Sequence, residues 1–228
     1  MKRLLIIPAR LGSKRILKKN IKLFSNKPII NYSIDTAIKS KLFHTIHIST
    51  ESKIVKKVVE KMNIKIDFLR DEKLADDKTV LLDVYKFVVN NYKKIGITFD
   101  EVWFLYPCSP LINFKDLIKA SNFFIKKKLN AMIAVSENAP PIQWSFYFKN
   151  NFKLKPIFKK SYFNFRSQDL KKTYFDTGTF GVYKSSCLTK KKFEYSGFVI
   201  PRYKGIDIDT ADDWALAEKI FKNNMKKN

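Results

Sequence analysis

A basic loop after the first apolar run of the chain carries the residue types best suited to binding phosphate. The apolar run spans residues 4–7, and the loop follows at once, reading PARLGSKR over residues 8–15 and continuing to Lys19 and Asn20. A short continuous apolar run is typical of a strand buried on both faces, so the loop should lie at the carboxyl end of a strand. The cations that could offset the charge of a triphosphate there are Arg10, Lys14, Arg15 and Lys19.

Two further residues of this loop suit close contact with phosphate oxygens. Gly12 lets the backbone approach an oxygen, and the Ser13 hydroxyl can donate to phosphate together with backbone N–H groups. The spacing matches neither the P-loop, which needs GxxxxGK before Ser or Thr, nor the GxGxxG turn. A basic surface loop is the alternative. The position after the first strand favours phosphate binding, because ligands of parallel sheets bind beyond the carboxyl ends of the strands.

The second candidate for chemistry is the pair Asp207 and Asp209 near the end of the chain. Residues two apart on an extended strand point to the same side, so both carboxylates can meet one cation. Mg²⁺ prefers one or two carboxylates together with substrate phosphates and waters. The alternative is that Asp209 or Thr210 caps the closing helix. Together with the basic loop, the pair predicts a magnesium site.

Alternating strand and helix patterns must position these residues. Strand patterns cover residues 4–7, 45–49, 65–69, 102–106, 131–135 and 178–183, with a last strand near Phe198. Helical spacing occupies the intervals at residues 28–40, 54–62, 80–89 and 117–124, and a closing helix carries Trp214 and Phe221. Such alternation predicts an α/β fold, a three-layer α/β/α Rossmann-like domain with a mostly parallel sheet.

The alternation breaks between Glu137 and Thr173, a stretch rich in Phe, Tyr and Lys. We expect a single domain over residues 1–228 with a small excursion of short strands and loops at about residues 137–177. Exposed aromatic residues in the excursion would mark contact with a partner subunit. A local flap packed on its own sheet is the alternative that composition leaves open.

The chain is strongly basic, with 45 Lys and Arg against 21 Asp and Glu in 228 residues and a formal net charge of +24 at pH 7. Such a charge attracts polyanions, which leaves a basic nucleic-acid-binding protein as an alternative of another class. Only 6 of the cations are Arg, the residue that grips phosphate and guanine bidentately, so a Lys-rich solvated surface is favoured. Hydrophobic content of 45% and aromatic content of 14% exclude a disordered polycation.

Cysteine usage and the start of the chain predict a cytoplasmic protein. Cys108 and Cys187 lie far apart and form neither a disulfide framework nor a metal-ligand pair, which fits a reducing compartment. The apolar run at residues 4–7 is far shorter than the apolar region of a signal peptide. No stretch of the sequence approaches the roughly 18 apolar residues of a membrane span. We therefore expect neither a membrane nor nucleic acid as a partner.

Several motifs together resemble the cytidylyltransferases that activate nonulosonic acids, the CMP-sialic acid synthetase family, over nearly the whole chain. The run IIPARLGSKR, followed by KKN, resembles the first motif of the family, and IDIDT at residues 206–210 resembles its metal-binding carboxylates. Further similar runs are KPII at residues 27–30, STE at 49–51, FLR with LADD at 68–77 and YPCSP at 106–110. The resemblance implies a nucleotidyltransferase that uses CTP and Mg²⁺.

The resemblance also implies a role for each matching residue. Arg10 and Lys14 would be catalytic, and Lys14 would stabilise the negative charge that develops on the phosphates during transfer. Asp209 would assist through the cation that it binds together with Asp207. The implied nucleotide-binding residues are Ala9, Arg10, Gly12, Ser13, Lys14, Lys19, Asn20, Arg70 and Tyr106. For Arg70, a surface salt bridge is the alternative.

Within the family, the branch of pseudaminic acid cytidylyltransferases fits best, because RSQDL at residues 166–170 resembles its specific run. The implied sugar-binding residues are Arg166, Gln168, Tyr174, Asp176 and Gly178. The chain departs from this branch at Phe175 and Thr179, both expected in the sugar pocket. Sialic acid, legionaminic acid and Kdo therefore stay open as alternative substrates, although Lys19-Asn20 replaces the Gly-Lys-Pro turn typical of the Kdo branch.

In this family the excursion swaps onto a partner subunit and brings sugar-binding residues to the neighbouring site. The resemblance therefore implies a homodimer in which Arg166 acts in trans. Two other groups are given structural interpretations. Asp76 and Asp77 precede an apolar helix and are predicted to cap it. Cys108 is predicted to be a small core residue rather than a nucleophile, because no partner base is evident.

Overall fold

A computed structural model of the chain describes residues 1–190 and 192–225. The strands in these ranges are β1 Arg3–Pro8, β2 Leu23–Phe24, β3 Lys27–Pro28, β4 Thr45–Ser49, β5 Glu101–Leu105, β6 Ala131–Glu137, β7 Phe146–Phe148, β8 Leu154–Pro156, β9 Tyr174–Lys184 and β10 Ser196–Val199. The α-helices there are α1 Ile29–Ser40, α2 Lys53–Glu60, α3 Leu81–Lys94, α4 Phe114–Lys126 and α5 Ala211–Met225. None of these helices has the length and apolar character needed to cross a membrane.

One central sheet contains six of the strands in the order β10-β6-β9-β5-β1-β4. Neighbouring strands run parallel except at β9, which is antiparallel to both β5 and β6. The sheet is therefore mostly parallel, as the alternation predicts. The antiparallel member is the strand that returns from the excursion.

Helices cover both faces of this sheet. Leu5 and Ile7 of β1 belong to one buried cluster, together with side chains of α1, α2 and α4. Leu4 and Ile6 alternate with them and belong to a second cluster, which includes side chains of α3. A strand covered on both faces has no polar side, which explains the continuous apolar run at the start of the chain. The arrangement has the three layers predicted from the sequence.

The strand predicted over residues 65–69 is wrong. This segment is irregular, with a bend at residues 67–68, and follows α2 rather than pairing with β4, which is the edge strand of the sheet. Its apolar side chains are held by packing, since Ile66 is buried in the core and the Phe68 ring lies 4.5 Å from the His47 ring. Alternating apolar residues can thus face a core without pairing in a sheet.

Residues 206–209 also do not form the predicted strand. The helix that follows them is capped by Thr210, whose hydroxyl oxygen accepts the Asp213 N–H at 3.2 Å. The Asp213 carboxylate in turn accepts the Thr210 N–H at 2.8 Å. This reciprocal pair satisfies the start of α5 in the way of a capping box. Thr210 is therefore the cap, and Asp209 is free for another role.

Residues 138–173 leave the central sheet between two paired strand ends. Glu137 at the end of β6 pairs with Tyr174 at the start of β9. The segment between them contains the β7–β8 hairpin and short 3-10 turns. Its aromatic side chains are largely exposed, Phe152 by 90% and Phe148 by 71%. Some of them pack locally, since the Phe146 and Phe163 rings stack with centroids 5.0 Å apart. Contact of the exposed side chains with a partner subunit stays a prediction.

Candidate functional site

A cavity of about 440 Å³ lies beyond the carboxyl ends of β1 and β5. The predicted nucleotide-binding residues that line it are Arg10, Gly12, Ser13, Lys14, Lys19, Asn20, Arg70 and Tyr106. Asp207, Asp209 and Gly178 line the same cavity. The fold therefore brings the basic loop and the carboxylate pair together at the edge of the sheet where parallel folds bind ligands.

Two cations of the basic loop converge on one carboxylate. Arg10 and Lys14 contact the two oxygens of Asp77, each over an N–O distance of 2.6 Å. The predicted capping role of Asp76 and Asp77 is wrong, because α3 begins at Leu81 and its N-cap residue is Val80, which makes no side-chain capping hydrogen bond. Sequence reasoning missed Asp77 as a cavity residue. Its signals are a place in an acidic pair shortly after Arg70 and in the LADD run at residues 74–77.

The other two cations of the loop converge on Asp209. Arg15 contacts this carboxylate at 2.7 Å and Lys19 contacts it at 3.1 Å. The Lys19 ammonium also donates to the Ile208 carbonyl at 2.7 Å, which ties the loop to the segment before α5. Lys19 is only 21% exposed and Arg15 is 66% exposed, so the Lys19 contact is the less screened of the two.

The backbone of the basic loop donates hydrogen bonds to residues at the end of β4 and just after it. The Ala9 N–H donates to the Ser49 carbonyl at 2.8 Å, and the Leu11 N–H donates to Glu51 at 2.8 Å. Ala9 itself is buried and does not line the cavity. A Cβ at Gly12 would meet no protein atom within 4 Å, so the space in front of this glycine is open. Glu51 was not predicted as a site residue, although STE was noted as a motif.

Arg70 is buried at the base of the cavity. Its guanidinium donates to the Ser49 hydroxyl at 3.0 Å and to the Ser49 carbonyl at 2.6 Å. Burial lowers the pKa of Arg70, and the nearby Glu51 carboxylate opposes that shift. The guanidinium stays charged near neutral pH, because arginine is effectively always protonated in proteins. The alternative of a surface salt bridge is wrong, since the side chain is held inside the protein.

Tyr106 and Cys108 follow β5 and line the opposite wall of the cavity. Burial raises the pKa of Tyr106 to about 12, and it raises the pKa of Cys108 to about 12. Both groups are therefore protonated near neutral pH, so Cys108 is not activated as a nucleophile, as predicted. The predicted place of Cys108 in the core is only partly right, because it packs against a buried cluster but also lines the cavity. Its thiol donates to Asn20 at 3.3 Å, while the Asn20 amide donates to the Arg10 carbonyl at 2.8 Å. These bonds fix the orientation of the Asn20 side chain.

The carboxylate pair has the donor set that a magnesium ion needs. Within the described ranges, Asp207 makes no hydrogen bond or ion pair, and burial raises its pKa, with the Asp209 carboxylate raising it further. A cation between the two would relieve this repulsion. Gly178, with a φ of +57°, lets its backbone approach: a Cβ there would lie 3.3 Å from the Asp207 carboxylate. No cluster of three or more His, Cys, Asp or Glu suited to a metal occurs in the described chain, so substrate phosphates and water would complete the coordination.

The predicted sugar-binding residues are divided by the structure. Gly178 lines the cavity, and the residues that do not are Arg166, Gln168, Tyr174 and Asp176. The Asp176 carboxylate accepts the Gly178 N–H at 2.9 Å, so it supports the turn beside Asp207. Arg166 and Gln168 lie in the excursion and are exposed. The cavity of a single chain is therefore lined mainly by the nucleotide-binding set.

The two departures from the resembling branch also lie outside this cavity. Thr179 is buried, with its hydroxyl 2.8 Å from the Thr177 hydroxyl, which donates to the Ala134 carbonyl at 2.9 Å. The side chain of Thr179 is buried among protein atoms, so it does not reach the cavity surface as predicted for a residue of the sugar pocket. Phe175 lies on β9 opposite Ser136 and is partly exposed.

Comparison with known protein families shows the family to which this chain belongs. The family described as Cytidylyltransferase matches residues 4–186, which is more than half of the chain. The chain belongs to the cytidylyltransferase family. The nucleotidyltransferase enzyme predicted from the motifs is thereby confirmed.

Two curated relatives of this cytidylyltransferase match it from end to end. It is 37% identical to the pseudaminic acid cytidylyltransferase of Campylobacter jejuni subsp. jejuni serotype O:2, with 98% of each chain covered. It is 28% identical to the CMP-N,N'-diacetyllegionaminic acid synthase of Legionella pneumophila, with 99% of each chain covered. The resemblance to the family that activates nonulosonic acids is therefore confirmed.

A solved structure supports the fold of this cytidylyltransferase. The CMP:2-keto-3-deoxy-manno-octonic acid synthetase complexed with CTP superposes with a TM-score of 0.68 over 100% of both chains, at 16% sequence identity. At this identity the likeness shows the fold alone. The predicted α/β nucleotidyltransferase fold is confirmed.

Proposed function

We propose that this enzyme transfers the cytidylyl group of CTP to the anomeric hydroxyl of a nonulosonic acid, giving the CMP-sugar and pyrophosphate. The observation that carries the proposal is one cavity that holds the cations of the basic loop together with Asp207 and Asp209. Arg15 and Lys19 contact Asp209, and Arg10 and Lys14 contact Asp77. The relative at 37% identity supports pseudaminic acid as the sugar. Because CTP is a nucleotide of the cell interior and both cysteines are free, we place the reaction in the cytoplasm.

The reaction is a substitution at the α-phosphorus of CTP. The anomeric oxygen attacks this phosphorus in line, the bond to the bridging oxygen of the β-phosphate breaks, and pyrophosphate leaves while the hydroxyl proton passes to solvent. Such transfer depends mainly on positioning and on neutralising charge. Arg10, Lys14 and Lys19 would hold the phosphates, with Lys14 on the charge that develops on the leaving group. Arg70, fixed by Ser49, would present its remaining N–H groups at the base of the site.

Asp207 and Asp209 are the residues that would hold Mg²⁺. When bound, the ion supplies Lewis-acid chemistry and lowers the pKa of a hydroxyl that it coordinates. Asp209 already contacts Arg15 and Lys19, so the carboxylate is oriented toward the loop before substrate arrives. Asp207, without such a partner in the described residues, has its full acceptor capacity available.

The choice of sugar can be tested directly. The protein is incubated with CTP, Mg²⁺ and one of four sugar acids, namely pseudaminic, legionaminic, sialic acid or Kdo, and pyrophosphate release is measured. We expect the highest kcat/KM with pseudaminic acid. Absence of release with every sugar acid would overturn the proposal, and a preference for another acid would reassign the substrate.

The metal assignment predicts the effect of Asp209→Ala. This change removes one of the two ligands and should lower Mg²⁺-dependent pyrophosphate release at least about 100-fold, because the ion stabilises charge in the transition state. Asp212→Ala is the control, since Asp212 is exposed in the first turn of α5 and does not line the cavity. Circular dichroism checks that both variants fold. Near-normal turnover of Asp209→Ala would contradict the assignment.

We further propose a homodimer in which the excursion completes the site of the partner. Arg166 is 75% exposed and contacts Asp169 at 2.8 Å within the excursion, so it is held in place without touching its own cavity. A guanidinium fork suits the carboxylate of a sugar acid. The exposed aromatic residues around it supply the surface that a partner would cover. Arg166 and Gln168 of the excursion are proposed to serve the partner's sugar site, and Tyr174 and Asp176 on β9 are proposed to bind the sugar beside the cavity of their own chain.

A further inference from the structure

Asp77 occupies the place in the cavity where an anionic ligand would be expected. Its Oδ1 contacts Arg10 and its Oδ2 contacts Lys14, both at 2.6 Å. One carboxylate thus bridges two cations through separate oxygens, which is also how a phosphate group would engage them. These two cations hold the pKa of Asp77 below its usual value, the Lys14 contact most of all. The group is therefore ionised at neutral pH.

The turn that carries Asp77 is built to present it. Asp76 accepts hydrogen bonds from the Thr79 N–H at 2.7 Å and from the Thr79 hydroxyl at 2.6 Å. Arg10 reaches across the chain and donates to the Asp76 carbonyl at 3.1 Å. Asp77 thus projects from a fixed turn toward the loop, and the side chain is 46% exposed, so it is open to exchange with a dissolved anion.

We propose that Asp77 is a positioning residue. It holds Arg10 and Lys14 when no substrate is bound, and it competes for these two cations with the triphosphate group of a nucleoside triphosphate. The inference rests on the proposed function, which assigns these two cations to the phosphates. Asp209 forms a similar pair with Arg15 and Lys19 but has a second task as a cation ligand. Asp77 has no such task in the mechanism, and α3 does not need it as a cap.

This competition has a consequence for both ends of the reaction. Arg10 and Lys14 stay oriented without being left as unpaired charges, and the triphosphate displaces one carboxylate when it binds. After transfer, Asp77 can recapture the two cations and assist the release of pyrophosphate. Removing its charge should therefore strengthen the binding of polyphosphate anions, whereas a merely structural role would weaken it or leave it unchanged.

The experiment measures binding of inorganic tripolyphosphate and pyrophosphate to Asp77→Asn by titration calorimetry. An exposed ion pair is a weak competitor, so we expect binding about two- to fivefold tighter than in the unchanged protein. Asp83→Asn is the matched control, because it makes the same charge change on α3 at a carboxylate that contacts Lys86 outside the cavity. In a Lys14→Met background the gain from Asp77→Asn should shrink, since one of its two partners is gone.

The outcomes separate this inference from the proposed function. Tighter binding in Asp77→Asn but not in Asp83→Asn supports the competition. Equal or weaker binding in Asp77→Asn overturns it, even if CTP turnover with a sugar acid, measured in parallel, supports the enzyme. Failure of the unchanged protein to bind tripolyphosphate at all would overturn both assignments. Thermal unfolding of each variant verifies that the folded protein is being titrated.

Discussion

Lys14 and Lys19 belong to one short loop but differ in what each can do. Lys14 is 86% exposed and contacts only Asp77 among the ion pairs of the described residues. Lys19 is 21% exposed and contacts both Asp209 and the Ile208 carbonyl. The exposed Lys14 ammonium is free to move toward negative charge that develops on a bound phosphate. The half-buried Lys19 ammonium fixes the loop against Asp209.

This difference predicts two distinct kinetic effects. Lys14→Met and Lys19→Met should each lower kcat about 10²–10³-fold, the usual loss when one group that stabilises transition-state charge is removed. Only Lys19→Met should lower the Mg²⁺ concentration needed for half-maximal activity, because Lys19 competes with the cation for Asp209. Initial rates of pyrophosphate release at several Mg²⁺ concentrations measure both effects. Lys18→Met, at an exposed neighbouring position, is the control. The same Mg²⁺ dependence in both variants would contradict the distinction.

Spacing alone predicts only site residues that lie close together in sequence, whereas Arg70, Tyr106 and Gly178 were predicted from the resemblance to the family. The basic loop needs only its own spacing and a preceding strand, and Asp207 with Asp209 needs only a separation of two. Asp77 could not be found in this way, because it meets Arg10 across 67 positions of the chain. Of the predicted sugar-binding residues, only Gly178 lines the cavity of the described chain, and the roles of the others stay a prediction.

At the scale of elements, β4 and α3 are joined by a buried polar network. The Tyr92 hydroxyl of α3 donates to Asp67 at 2.8 Å, so it must accept from Nδ1 of His47 on β4, 3.2 Å away. The proton of the neutral imidazole therefore lies on Nδ1, and Nε2 is buried without a partner in the described chain. The network also holds residues 65–69 against the edge of the sheet without a strand.

The network predicts loss of stability in acid. Burial lowers the pKa of His47 from 6.5 to about 4. Between these values the unfolded chain binds a proton that the folded chain does not, so the free energy of unfolding falls as the pH drops from 6.5 to 4. The loss from this group reaches about 3 kcal/mol, and above pH 6.5 it vanishes.

Urea unfolding at several pH values between 4 and 7 measures this slope. His47→Gln should flatten it, because the replacement does not titrate. His44→Gln is the control, since His44 is the other histidine of the chain and is exposed. A slope that survives His47→Gln unchanged would contradict the assignment.

Apolar patterns predicted the strands of the central sheet because buried parallel strands are continuous apolar runs. The same reasoning failed at residues 65–69, where Ile66 and Phe68 alternate as in a strand yet pack by side chains alone. It failed again at residues 206–209, which reach the cavity as an irregular segment. Periodicity reports which side chains face a core, and hydrogen bonding between strands is a separate condition.

At the scale of the whole molecule, the cations of the site are a small part of the charge. The formal net charge is +24, yet within residues 1–190 and 192–225 the ion pairs that line the cavity involve only four cations, all of the basic loop. The remaining excess can raise the local concentration of anionic substrates, an effect that salt screens. Family membership favours this interpretation over a nucleic-acid-binding protein.

The proposed dimer predicts that two inactive variants restore each other. Lys14→Met disables the nucleotide side of a site, and Arg166→Ala disables the sugar side that the partner would supply. An equimolar mixture of the two variants is dissociated and reassociated so that mixed dimers form. In each mixed dimer, one site lacks both Lys14 and Arg166, and the other site has both. Activity should recover to roughly a quarter of the unchanged protein, because half of the dimers are mixed and each has one intact site of two.

Sedimentation velocity establishes the oligomeric state of each sample in the same buffer. Arg166→Ala alone should raise the KM for the sugar acid more than the KM for CTP. Lack of recovery on mixing, with dimers present, would place Arg166 in the site of its own chain. A monomer with full activity would remove the dimer from the mechanism.

The pairing of Glu137 with Tyr174 has a practical consequence. The excursion begins and ends next to two residues that pair with each other across β6 and β9. It therefore joins these antiparallel strands as a hairpin loop does, and its length does not affect the pairing. A segment with the same end-to-end spacing could be exchanged here between related enzymes while the nucleotide cavity keeps its lining. If the proposed sugar-binding role of the excursion is right, chimaeras made at this junction will change which sugar acid receives CMP.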